Sequence, residues 1–118
     1  MKIIGKKIRI TNQDAKSALV TLGKVRKLFG PTGNGWTTGA MYRKNFYGHD
    51  RYCLLGAIRK ANGLGETVLV HMVERSVPEG GIAAFNDGFG RGTANTRFSN
   101  VKKLLDRVER KFKRVLAK

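Results

Sequence analysis

Cysteine is almost missing from this sequence: Cys53 is the only one. A single thiol cannot form an internal disulfide, so nothing points to an oxidising compartment. One cysteine and two histidines form no recognised ligand pattern for a metal, and no cofactor is expected. Long apolar runs are missing as well. No stretch approaches the roughly 20 apolar residues of a membrane span. The opening "MKIIGKKIRI" carries lysines but no continuous apolar run of signal-peptide length. A soluble cytoplasmic protein is the expectation. No internal repeat occurs at any period.

Acidic residues are scarce relative to basic ones: 8 Asp and Glu against 24 Lys and Arg, a net charge of +16 on 118 residues. The distribution is uneven. Residues 1–30 and residues 97–118 each sum to +7, and the stretch between them to only +2. A nearly neutral middle is therefore flanked by two basic ends. Such a field attracts polyanions and speeds their encounter, and +16 exceeds what solubility alone requires. Nucleic acid is the first candidate partner, ahead of acidic proteins and anionic membrane surfaces. The chain is long enough for one domain, 1–118, with an apolar fraction of 41% that supplies a core.

Periodicity predicts an α+β fold, mainly helical, with three to four helices around one core, a small hairpin and an N-terminal edge strand. Residues 2–10 read as that strand or as an ordered basic arm. From Gln13, the residues Ala15, Ala18, Leu19, Leu22, Val25 and Phe29 share a helical face, with Thr11 or Asn12 as the cap. Gly30-Pro31 stops this helix, and Lys24, Arg26 and Lys27 lie in its last turns. "GPTGNG" at 30–35 lacks the Gly-Lys-Ser/Thr ending of a phosphate loop and reads as a tight connection. "WTTGAMYRKNFYG" at 36–48 alternates as a hairpin with "KNFYG" at its tip.

Asp50 can cap a second helix built on Cys53, Leu54, Ala57, Ile58 and Ala61 and closed by Asn62-Gly63. "ETVLVHMVERSV" at 66–77 fits both periods and is read as helix. Ile82 to Phe85 forms one short turn after Pro78 and Gly80-Gly81. At 97–118 lies a basic amphipathic helix with Ser99 or Asn100 as its cap. Its apolar stripe is Val101, Leu104, Leu105, Val108, Phe112, Val115 and Leu116. Lys102, Lys103, Arg107, Arg110, Lys111, Lys113, Arg114 and Lys118 occupy its remaining surface.

"WTTGA" at 36–40, "CLLGAI" at 53–58 and "IAAFND" at 82–87 follow one another in an order and spacing that resembles a small family of bacterial and phage proteins. That family, a domain of unknown function, runs Trp-x-x-Gly-Ala, Cys-x-x-Gly-Ala and Trp-Asn-Asp before a helix with Leu-Leu. The resemblance covers residues 13–108, with Phe85 where the family has Trp and an extended loop at 88–98. It implies a shared fold and no particular activity. A phage-encoded member would work in the host cytoplasm.

Cys53 sits near a helix start, where the dipole favours a thiolate. His49 or His71, with Asn86 or Asp87, would complete a Cys-His-Asn arrangement. The apolar neighbours Leu54, Leu55, Ala57 and Ile58 argue instead that Cys53 packs in the core, where free cysteine is common. His71, in an apolar run, reads as a hydrogen-bonded structural histidine. Asn86-Asp87-Gly88 reads as a turn or cap. "GFGRGTANTR" at 88–97 frees its backbone for phosphate and adds Arg91 and Arg97, but lacks the strand–loop–helix context of a nucleotide site.

The leading expectation is a non-catalytic module that binds nucleic acid through phosphate contacts. Its site residues are Lys24, Arg26 and Lys27 on the first helix, the final-helix cations from Lys102 to Arg114, and Arg43, Lys44, Arg91 and Arg97. No helix-turn-helix, zinc-finger or RNP signature supports sequence-specific reading. Trp36, Tyr42, Phe46, Tyr47 and Tyr52 offer stacking surfaces beside Arg43, Lys44 and Arg51. The alternative is a phage-encoded factor that binds an acidic protein of a host machine and modulates it. A cysteine-dependent hydrolase comes third.

Overall fold

Thr11 opens the first long helix. Its Oγ1 accepts the Asp14 N–H at 3.1 Å, and the Asp14 carboxylate accepts the Thr11 N–H at 2.9 Å. This reciprocal pair satisfies two of the donors that a helix start leaves open. From it, α1 runs over Asn12–Phe29 in the computed structural model of the chain. The structure describes residues 2–4, 7–44, 50–77, 81–88 and 96–118. Ala15, Ala18, Leu22, Val25 and Phe29 of α1 are all buried, at the spacing that keeps one helical face inward. Gly30 ends the helix with a φ of 75°, a conformation glycine enters without a Cβ penalty.

Ahead of α1, the expected edge strand is two strands paired with each other. β1 (Lys2–Ile4) and β2 (Lys7–Arg9) run antiparallel, with Lys2 opposite Arg9 and Ile4 opposite Lys7. The one expected hairpin, read at 36–48, pairs β3 (Tyr42–Arg43) with antiparallel β4 (Arg51–Tyr52), so its return strand lies beyond that stretch. Its expected tip lies, beyond Lys44, outside the described residues. Because Arg51 and Tyr52 are extended in β4, the next helix cannot begin at Asp50. α2 (Leu54–Ala61) starts three residues later with Cys53 as its cap, so the expected Asp50 cap is replaced. Asn62 closes α2 in the left-handed conformation.

The helical reading of 66–77 holds up to Ser76: α3 spans Glu66–Ser76, and Val77 caps it in an extended conformation. The expected short turn lengthens into α4 (Gly81–Asp87). α5 covers Phe98–Leu116, about 28 Å of helix. Neither Ser99 nor Asn100 caps it. Arg97 holds that position, and the Asn100 side chain reaches back to accept the Arg97 N–H at 2.8 Å.

The architecture is α+β and mainly helical, with α1 at its centre against α2, α3 and α5, and with α5 also covering α3. Phe29, Leu22, Leu54, Ile58, Leu69, Leu105 and Phe112 fill the core. Each such side chain contributes roughly 1.5–3 kcal/mol by leaving water. Close approach of α3 to α1 depends on Gly65, where a Cβ would collide with the Ser17–Ala18 backbone. Among the described residues, no helix is long and apolar enough to cross a membrane.

Candidate functional site

The three quoted stretches of the neutral middle meet at Asn86, which is only 1% exposed. Its Oδ1 accepts the Trp36 indole N–H at 2.7 Å and the Leu54 backbone N–H at 3.0 Å. Its Nδ2 donates to the Thr37 carbonyl and to Asp87 Oδ1, both at 3.0 Å. Asp87 Oδ1 in turn accepts the Gly39 N–H at 2.9 Å. Asn86 therefore acts as a cap, as its residue type suggested, but for α2 rather than for its own helix. One side chain joins the loop at 36–39, the start of α2 and the end of α4.

Cys53 lies beside this junction. It is 8% exposed, and its Sγ accepts the Gly56 N–H at 3.3 Å, while its own N–H donates to the Met41 carbonyl at 3.2 Å. The thiol thus caps α2 from a buried position. Gly56 keeps that position tight, since a Cβ there would meet the Met41 carbonyl oxygen. His71 Nε2 is buried without a hydrogen-bond partner among the described residues, so the expected hydrogen-bonded histidine is not found at that atom. His49 lies outside the described residues. Among those described, no group of three or more His, Cys, Asp or Glu side chains is arranged to hold a metal ion.

The cations divide by what each one touches. Arg26 is half-buried between α1 and α5, 2.9 Å from Asp106 and 3.6 Å from Glu109, and Lys113 lies 3.4 Å from Glu109. The first and last helices do pack together, yet these two carboxylates partly neutralise the seam between their basic residues. Arg107 donates to the Ser76 carbonyl at 3.3 Å, and Lys111 Nζ donates to Ser76 Oγ at 2.8 Å. Both thereby reach the C-terminal end of α3, where the helix dipole favours positive charge. Burial, followed by repulsion from Arg107, Arg75 and Arg114, holds the Lys111 ammonium below its ordinary pKa.

Lys103, Arg110 and Arg114 remain exposed on the outer face of α5, and none of them meets a carboxylate among the described residues. With Arg107 they occupy every third or fourth position, which aligns four cations along about 16 Å of one helical face. Lys27 and Lys102 are exposed beside the cavity where α1 meets α5, and Lys24 is exposed elsewhere on α1. Arg43 turns back to the Thr38 carbonyl at 3.4 Å and sits in register with Arg51, apart from the α5 stripe in sequence and fold. Lys44 and Arg97 are exposed, and Arg91 lies outside the described residues.

The expected stacking surface contracts. Tyr52 is buried, Trp36 is held by Asn86, and Tyr42 packs on Tyr52 with ring centroids 5.3 Å apart. Phe46 and Tyr47 lie outside the described residues. Two residues escaped the sequence reading. Arg75 joins the cluster around Lys111, and with Arg9 and Lys118 it lines a cavity of about 780 Å³ where β2 and α3 meet the end of α5. Phe98 lines a second cavity, of about 500 Å³, between α1 and α5. Arg75 lies in the neutral middle, distant in sequence from both basic ends, so only the fold brings it to them. Phe98 stood just ahead of the apolar stripe it extends.

Compared with protein-family models, curated proteins and solved structures, the chain matches none.

Proposed function

We propose that this protein binds nucleic acid through its phosphates, without strong sequence selectivity and without catalysing a reaction. The observation that carries this reading is the line of Lys103, Arg107, Arg110 and Arg114 along the outer face of α5. Like charges at these spacings repel one another and destabilise a helix by a few tenths of a kcal/mol per pair. Acidic residues are present in the same helix, Asp106 and Glu109, but they lie toward Arg26 and leave the outer face uncompensated. An extended polyanion is the partner whose own charge repeats on that scale. Lysine and arginine on a smooth helical face read phosphates and carry no base-edge information.

The test is binding to random-sequence duplex and to single strands across a salt series. Log affinity should fall linearly with log salt, at about 0.9 per duplex phosphate engaged. Changing Lys103, Arg110 and Arg114 together to Glu should weaken binding and flatten that slope by two to three contacts' worth, on the order of 2–3. A parent protein that binds neither form at low salt sinks this reading, and a saturable complex with one acidic protein under the same conditions would replace it.

A further inference from the structure

We infer that the cavity between the last turn of α1 and the first turns of α5 takes a single unstacked base from a single-stranded nucleic acid. The inference rests on the phosphate-binding reading and names the form of nucleic acid that this surface prefers. The cavity measures about 500 Å³, within the usual range of small-molecule pockets. Its walls are Phe29, Pro31, Phe98 and Leu105, and the charged side chains at it, Arg26, Lys27 and Lys102, are all basic. An apolar and aromatic floor calls for a flat apolar body. A basic rim calls for negative charge attached to that body.

The stacking wall is held in place. Phe98 meets Phe29 edge-on, with centroids 5.7 Å apart and planes at 77°, and it lies 6.1 Å from Trp36. Gly33, at a φ of +81°, lets the Phe98 ring lie against bare backbone, because a Cβ there would overlap the ring. A ring fixed on three sides loses little further freedom when a base stacks on it. Arg26 is occupied by Asp106, so Lys27 on α1 and Lys102 on α5 are the rim cations available to a ligand. They sit on different helices and suit the two phosphates that flank one base. Bases inside a duplex are stacked and cannot enter, so the pocket selects single strands.

Three probes at low salt test this on the intact chain: a short oligothymidylate, an abasic chain with the same number of phosphates, and a random duplex. Trp36, the only tryptophan, reports on the pocket through its contact with Phe98. Oligothymidylate should bind about tenfold more tightly than the abasic chain, the worth of one stacked base, and should alone shift Trp36 emission. Phe98→Leu should erase that difference and leave duplex binding unchanged. Equal binding of the thymidylate and abasic chains overturns the base pocket while the phosphate reading stands. Persistence of the difference in Phe98→Leu also overturns it, by moving the base elsewhere. If neither single strand nor duplex binds the parent, both readings fall together.

Discussion

Replacing Asn86 with alanine removes a side chain that meets two donors, one carbonyl and one carboxylate at 2.7 to 3.0 Å. The Leu54 N–H then starts α2 with no acceptor, and the Trp36 indole N–H and the Thr37 carbonyl lose their partner. A buried polar group left unsatisfied costs about 1–3 kcal/mol. Three such groups, taken near the lower end because water can enter the space left by the amide, give a loss of about 3–5 kcal/mol. Domains of this size are stable by about 5–15 kcal/mol, so the variant gives up a substantial share of that margin and should unfold at clearly lower urea than the parent. Urea denaturation followed through Trp36 measures the loss, and the emission itself should redden in the folded variant as the indole loses its anchor. A loss below about 1 kcal/mol would refute the argument, since it is what a single net hydrogen bond contributes. Asn86→Asp separates accepting from donating. The carboxylate keeps both accepting roles but places a second negative charge beside Asp87. Burial and that neighbour raise the introduced group's pKa in the folded state. Its folded form therefore binds the proton more tightly than its unfolded form, so the variant should be most stable in acid and lose stability as pH rises. A variant whose stability rises with pH over that range contradicts this.

Two further outcomes follow from the same geometry. Cys53, buried and bonded to the Gly56 N–H, should react slowly with a thiol reagent in the native protein and fast in urea, and Cys53→Ala should fold with a loss of about 1 kcal/mol or somewhat more; rapid native labelling at neutral pH would reopen the cysteine-nucleophile reading. Arg110→Glu replaces one of a run of like charges with an opposite charge three residues from Arg107 and four from Arg114, so at low salt it should raise stability by about 0.5 kcal/mol or more, an effect that high salt should abolish; a loss of stability at low salt would mean that Arg110 packs rather than repels.

The helices were legible because their signals are local. Ala15 to Phe29 and Val101 to Phe112 keep a helical period over more than three turns each, and Thr11 and Gly30 mark the ends of α1 by their own chemistry. The misplaced caps show where local reasoning stops. Asp50 is a good cap residue, but β4 pairs with β3 and holds Arg51–Tyr52 extended, so Cys53 takes the role. Asn100 is a good cap residue too, yet it sits at the third helical position and bonds backward to Arg97. Asn86 lies 32 residues from the N–H it caps, a distance at which no periodicity carries information. The charge of the final helix was plain from counting. Its division into cations held by Glu109 and Ser76 and an outer row that meets no carboxylate, with Arg107 in both, required the positions of α1 and α3.

That division bears on how folding and the proposed binding would be linked in this molecule. Carboxylates occur on α5 only on the flank toward α1, where Arg26 is partly desolvated and an opposite charge offsets its burial. On the open face, where water screens charge, the helix tolerates Lys103, Arg107, Arg110 and Arg114 in line. Repulsion is nonetheless present, and it is visible at Lys111, whose ammonium is disfavoured first by burial and then by Arg107, Arg75 and Arg114. A phosphate chain laid along this face would reverse the sign of the potential that each of these cations feels. Under the proposed function, the contacts that would give affinity would also relieve a cost borne by the free protein, so a bound polyanion would stabilise the fold by mass action. At a ligand concentration 100-fold above Kd that gain is about 2.7 kcal/mol. A stripe that weakens the isolated helix would then be offset in the complex proposed above.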